Sequence, residues 1–137
     1  MAERIVLDTS VVMAWLMPDE VTDATGNLDK WMNSKGAIVP SLWRIELGNS
    51  LLVACRRGRI SHEQRTTILQ VVSRFPVSVD KFTQRQVPGD TLALADKHGL
   101  TLYDATYLEL AVRTGAGLAT YDKALQRAAQ AEGILYL

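Results

Sequence analysis

The sequence predicts a three-layer α/β/α sandwich: one domain over residues 1–137 around a central, mostly parallel sheet of about five strands. Three observations predict it. Short, continuously apolar runs such as "IVL" (5–7) and "AIV" (37–39) alternate with longer segments of helical periodicity. Strands that are apolar without alternation are buried on both faces, as in parallel sheets covered by helices on each side. The chain has 137 residues and no internal repeat, low-complexity tract or Pro/Gly/Ser-rich linker, so it fits one domain with a substantial core.

The elements follow in order. Arg4–Leu7 is the first strand; it delivers Asp8 where the next apolar residue would sit, with Thr9 and Ser10 behind it, before Val11 and Val12 resume. Trp15, Leu16 and Met17 read as core or groove wall. A helix near 20–34 carries Trp31 and Met32, with Asp19, Glu20 and Asp23 at its N-terminus, where acids suit the helix dipole. Ala37–Val39 is the second strand, followed by a helix over 41–57. Ser61-x-x-Gln64 reads as a capping box opening a helix over 62–74. Val77–Val79 is a strand and 90–98 a helix. Leu100–Leu102 is a short extended piece leading into Asp104 and a helix over 105–114. Gly117–Ala119, a helix over 123–131 and a terminal strand at Ile134–Tyr136 complete the order. Gly58, Gly99, Gly115 and Gly133 each follow a helical run, as left-handed C-terminal caps do.

Composition narrows the function classes. Fifteen basic and fifteen acidic residues give a formal charge of zero, so contact with a polyanion must rest on local patches, a metal ion or a partner chain. Cys55, the single cysteine, excludes an intrachain disulfide or a multi-cysteine zinc site and reads as a small core residue. "MAERIVLD" lacks the apolar run of a secretory signal, and no segment reaches the ~18 apolar residues of a membrane helix. The expectation is a cytoplasmic protein with no membrane contact.

Asp8, Asp104 and Asp122 each stand where an extended segment gives way to a helix. Aspartate is a favoured N-cap, which accounts for any one of them alone. In a parallel sheet, however, all strands end on the same edge, and ligands of open α/β folds bind outside those ends, near the point where strand order reverses. Three strand-end aspartates can converge there, and a capping carboxylate still has a free lone pair. Glu46 is the fourth acid. In "PSLWRIELGNSLLVACRR" it falls within a stripe of Leu42, Ile45, Asn49, Leu52 and Val53, well inside the helix, where it is no cap. A carboxylate on a buried face needs an ion pair, here with an arginine, or a metal. Four converging acids repel one another unless a cation joins them. Oxygen ligands without His or Cys select Mg²⁺ or Mn²⁺ over zinc, and the chemistry implied is phosphodiester hydrolysis.

"VLDTSVV", "PSLWRIELGNSLL", "LYDATYLELA" and "LATYDKAL", in this order and spacing, resemble the PIN domain, and more narrowly the VapC-type ribonuclease toxins of type II toxin–antitoxin pairs. The resemblance covers essentially the whole chain. It implies a catalytic and metal-binding quartet of Asp8, Glu46, Asp104 and Asp122, supported by Ser10, Asn49 and Thr120. It further implies a Mg²⁺- or Mn²⁺-dependent endoribonuclease that cuts tRNA or rRNA, forms a homodimer and is blocked by a VapB-type antitoxin. On this reading Ser10 hydrogen-bonds the carboxylates or a metal-bound water.

Other residues weigh less. Arg56, Arg57 and Arg59 form the densest basic cluster; they read either as a solvated helix end or, with Arg44, as phosphate contacts for RNA. His62, His98 and Asp96 read as surface residues, and Tyr107 as core. "LDTS" also resembles a haloacid-dehalogenase start, but that chemistry wants an acid two residues after Asp8, where Ser10 stands. The non-enzymatic alternative is a PIN-like module that binds metal and RNA or protein without turnover.

Overall fold

The computed structural model describes residues 4–18 and 36–136. Its elements are β1 (Ile5–Leu7), α1 (Thr9–Leu16), β2 (Ala37–Val39), α2 (Trp43–Arg56), α3 (His62–Val72), β3 (Val77–Val79), α4 (Leu92–His98), α5 (Leu102–Thr114), β4 (Gly117–Ala119) and α6 (Lys123–Ala131). A 3₁₀ turn at Gln84–Gln86 and a wide turn at Val87–Thr91 lead into α4. The expected helix near 20–34, with Trp31, Met32, Asp19, Glu20 and Asp23, lies outside the described residues.

The sheet order is β3-β2-β1-β4 and every pairing is parallel. Ile5 is in register with Ala37 on one side and Gly117 on the other. The fifth strand expected at Ile134–Tyr136 is a single bridge, Leu118 to Leu135, beside β4. The chain leaves β1 toward β2 and β3, then crosses back to β4, so strand order reverses between β1 and β4. That places the crevice of an open α/β sheet at the carboxyl ends of these two strands.

Val6, Leu7, Leu118 and Ala119 are fully buried, as strands covered on both faces must be. Helix α5 packs on β1 and β4 and contributes an unbroken buried run from Ala105 to Ala111. Trp15 and Met17 are core, as expected. Cys55 is half-buried, its thiol donating to the Ser61 carbonyl at 3.6 Å.

Local chemistry sets the boundaries. The Ser61–Gln64 capping box is formed in both directions, at 3.0 and 2.8 Å. Gly36 has φ +81°, and a Cβ there would run into the Pro76 carbonyl oxygen, which accepts the Ala37 amide at 2.9 Å and ties β2 to β3.

Three expectations are corrected. Helix α1 follows β1 directly, where the sequence reading assigned no helix. Helix α5 starts at Leu102, not 105, because the Thr101 hydroxyl accepts the Asp104 amide at 3.1 Å; Leu100–Leu102 is therefore not an extended piece running into Asp104. The buried row of α2 is Trp43, Leu47, Leu51 and Ala54, whereas Ile45 of the expected stripe is 76% exposed.

Candidate active site

Asp8 leaves β1 buried, with its amide donating to the Ala119 carbonyl of β4 at 3.0 Å. It holds the N-cap position of α1 but its side chain does not cap the helix. Instead its Oδ2 accepts the hydroxyls of Ser10 and Thr120, both at 2.7 Å. Two residues after Asp8, on the first turn of α1, Ser10 faces back toward the strand end. Thr120, fully buried, follows β4 and also accepts the Asp122 amide at 3.1 Å. The Ser10 hydroxyl accepts the Tyr121 amide at 3.0 Å. The two loops at the topological switch are thus laced together by the hydroxyls that hold Asp8.

Asp122 is the N-cap of α6, its Oδ2 accepting the Leu125 amide at 2.9 Å, as its sequence position predicts. Asp104 is half-buried and is not an N-cap: it lies in the first turn of α5, capped by Thr101. The spacing Thr101-x-x-Asp104 is the sequence signal that places the helix start. Glu46 is half-buried in the first turn of α2, nearer the helix end than expected. Its partner is not an arginine: the Tyr107 hydroxyl donates to Oε1 at 2.5 Å. Tyr107 is fully buried, so its expected core role holds, but its tip reaches the site. Sequence reasoning missed that contact, which spans 61 residues.

The electrostatics join these acids. Burial pushes the Asp8 carboxyl up against the pull of its hydrogen bonds from Thr120, Ser10 and the Thr9 amide, with the Asp122 charge adding to the rise. Burial likewise raises Glu46 despite the Tyr107 bond, helped by the charges of Asp8 and Asp104. Asp104 is raised by burial, then by Asp122 and Asp8. Burial, then the hydrogen bond and charge of Glu46, push the Tyr107 hydroxyl far above its usual range, so it serves as a donor. The charges that raise Asp8, Glu46 and Asp104 belong to other members of the quartet.

The supporting residues divide. Ser10 and Thr120 are in the site. Asn49 is exposed and lines a cleft of about 360 Å³ with Met13, Ser50, Val53, Arg57 and Arg59. Arg44, Arg56, Arg57 and Arg59 are exposed. Arg44 is two residues from Glu46, whereas Arg56 is ten residues along α2, about 15 Å by helix rise. His62 and Asp96 are exposed, as expected. His98 is corrected: its ring bonds Glu132 at 2.7 Å, beside Lys97 at 2.8 Å on the same oxygen.

A second acidic cluster went unnoticed in the sequence. Asp80 follows β3 just as Asp8 follows β1, and its amide donates to the Val39 carbonyl at 2.8 Å. Arg113 bonds both its oxygens, at 3.2 and 2.7 Å, and also both oxygens of the buried Glu109, at 2.7 and 3.1 Å. Thr83 donates to Asp80 at 2.8 Å.

A family model described as PIN domain matches residues 5–131. The chain belongs to the PIN domain family. This PIN domain is 29% identical over 122 residues to "Ribonuclease VapC3" of Pyrobaculum aerophilum, a match covering 89% of the chain and 92% of that relative. It is 32% identical over 99 residues to "Exonuclease VapC9" of the same organism, covering 71% of each. Among solved structures it is similar to PAE2754 from Pyrobaculum aerophilum, with a TM-score of 0.68 and 28% identity, over 93% of this chain and 87% of that one.

The PIN fold raises the question of a divalent cation. Among the described residues, no group of three or more His, Cys, Asp and Glu side chains is gathered into a set that could hold a metal ion as it stands. The donor chemistry nevertheless fits a hard cation: all four groups are carboxylates, and the charges of Asp8, Asp104 and Asp122 contribute to raising Asp8, Glu46 and Asp104. An ion such as Mg²⁺, which keeps several of its own waters, asks for only a few direct carboxylates.

Proposed function

We propose that this PIN domain is a Mg²⁺- or Mn²⁺-dependent endoribonuclease, the toxin of a VapBC-type toxin–antitoxin pair. The observation that carries the reading is the quartet at the topological switch: the charges of its members raise Asp8, Glu46 and Asp104, and among the described residues no Arg or Lys bonds those three carboxylates. The names of the two relatives, a ribonuclease and an exonuclease, support phosphodiester hydrolysis.

Asp8, Glu46, Asp104 and Asp122 would hold the cation. When bound, it would offset their charge, draw in the substrate phosphate and acidify a water for in-line attack. The chain's own residues prepare the site. Ser10 and Thr120 fix Asp8 through one oxygen, Oδ2, and leave acceptor capacity on Oδ1. Asp122 orients the start of α6 while its carboxylate remains at the site. With a formal charge of zero, RNA affinity depends on local cations. Arg44, two residues from Glu46 in sequence, and Arg57 and Arg59 in the cleft with Asn49, are assigned phosphate contacts, with Arg56 near them in sequence. The substrate is tRNA or rRNA, the working unit a cytoplasmic homodimer, and the inhibitor a VapB-type antitoxin.

The test is cleavage of total tRNA and rRNA by the wild-type protein and Asp8→Asn in Mg²⁺, Mn²⁺ or EDTA. Discrete internal fragments from the wild type alone, lost in EDTA, are expected. Mononucleotide products would make it an exonuclease. Metal and RNA binding without cleavage would favour the non-catalytic module.

A further inference from the structure

We infer that Tyr107 is a positioning residue of the site, fixing Glu46 so that one defined carboxylate oxygen faces the metal and substrate. The inference rests on the nuclease reading above and adds a fifth side chain to the quartet. Tyr107 has no freedom of its own: its ring is fully buried in the core shared by α5, β1 and β4. It lies three residues after Asp104 on α5, hence on the same helix face one turn further on. Its hydroxyl crosses to α2 and donates to Oε1 of Glu46. One hydrogen bond therefore sets the position of the α2 acid relative to the α5 acid.

The chemistry of the pair gives this bond a direction. Glu46 has three rotatable side-chain bonds and is only half-buried, so nothing in its own packing fixes the carboxylate. Oε1 is engaged by the phenol, and among the described residues Oε2 accepts no hydrogen bond, which leaves it as the oxygen available to a cation or a water. Hydrogen bonds that orient the ligands of a metal site are worth about 10–100-fold in affinity or activity.

The experiment compares wild type, Tyr107→Phe, Glu46→Gln and the double variant. It follows Mn²⁺ binding by calorimetry, RNA cleavage at saturating metal, and folding by circular dichroism. Phenylalanine keeps the ring and its packing, so the fold is retained. Tyr107→Phe is expected to weaken Mn²⁺ binding and lower kcat by tenfold or more, with KM for RNA little changed. In the Glu46→Gln background the same substitution should add no further loss in either readout. Wild-type metal affinity and kcat in Tyr107→Phe, or losses that multiply in the double variant, overturn the role of Tyr107 while leaving the nuclease reading intact. A wild-type protein that neither binds Mn²⁺ nor cleaves RNA overturns the nuclease reading itself, and this inference with it.

Discussion

Two acidic clusters lie along the carboxyl edge of the same sheet, and they have opposite electrostatic states. Asp80, after β3, and the buried Glu109 share Arg113, which bonds all four of their carboxylate oxygens. Burial alone would raise Asp80, but hydrogen bonds from Arg113, Thr83 and the Phe82 amide hold it below the ordinary carboxylate range. Asp8, Glu46 and Asp104 meet hydroxyls, amides and one another, and all three are raised. Asp80 and Asp8 occupy equivalent positions at strand ends. The cluster that holds Arg113 is a clasp between β3 and α5; the other has no Arg or Lys bonded to Asp8, Glu46 or Asp104 among the described residues, which is what the proposed cation would supply. The position of an acid at a strand end does not identify a site. The position of the nearest arginine separates the two clusters.

The largest effect expected from this contrast is on activity. Asp8→Asn, Asp104→Asn or Asp122→Asn should reduce RNA cleavage by about a thousandfold or more, by analogy with loss of essential catalytic groups, while the protein stays folded by circular dichroism. Retained cleavage in any of the three would remove that residue from the quartet.

The next effect is on stability and belongs to the other cluster. Arg113→Met leaves two buried carboxylates without their cation, a change that typically costs about 3–5 kcal/mol. A fall in Tm on the order of 10 °C is expected at neutral pH. A Tm within a degree or two of wild type would show that the clasp contributes little.

The two clusters should also respond to acid with opposite signs. Asp80 is depressed in the folded state, so its stabilisation is present above the unfolded pKa and is lost as pH falls through the folded value. The raised acids of the quartet behave in reverse: between the unfolded and folded pKa the native state binds more protons, so their cost grows as pH rises and is complete above the folded values. Metal-free Asp104→Asn should therefore be slightly more stable than wild type at pH 7, by about a degree or two in Tm, with the difference vanishing near pH 4. Added Mn²⁺ should raise the Tm of wild type more than that of the variant. A lower Tm for metal-free Asp104→Asn at pH 7 would mean that its carboxylate is compensated after all.

Much of the fold and part of the site could be read without coordinates, and the divide has a physical basis. The Ser61–Gln64 box, the left-handed glycines after four helices and the four three-residue strands depend on neighbours within a few positions, as does Asp122 capping α6. The stripe chosen for α2 failed because that helix carries two apolar rows. Periodicity cannot say whether Ile45 and Leu52 or Trp43, Leu47 and Leu51 face the sheet, since both rows have helical spacing. The start of α5 differs for another reason: Leu100-Thr101-Leu102 reads as a short extended piece, and the Thr101 cap that starts the helix shows only in the structure.

The sequence by itself determined that this is a parallel α/β domain with carboxylates at its strand ends, because strand burial and helix capping are local chemistry. Only the tertiary structure decided which carboxylates meet a cation and which meet a hydroxyl. Arg113 reaches Asp80 across 33 residues, and Tyr107 reaches Glu46 across 61. Coulombic and hydrogen-bond energies depend on distance in space, and distance in space between such residues is set by how the helices pack on the sheet.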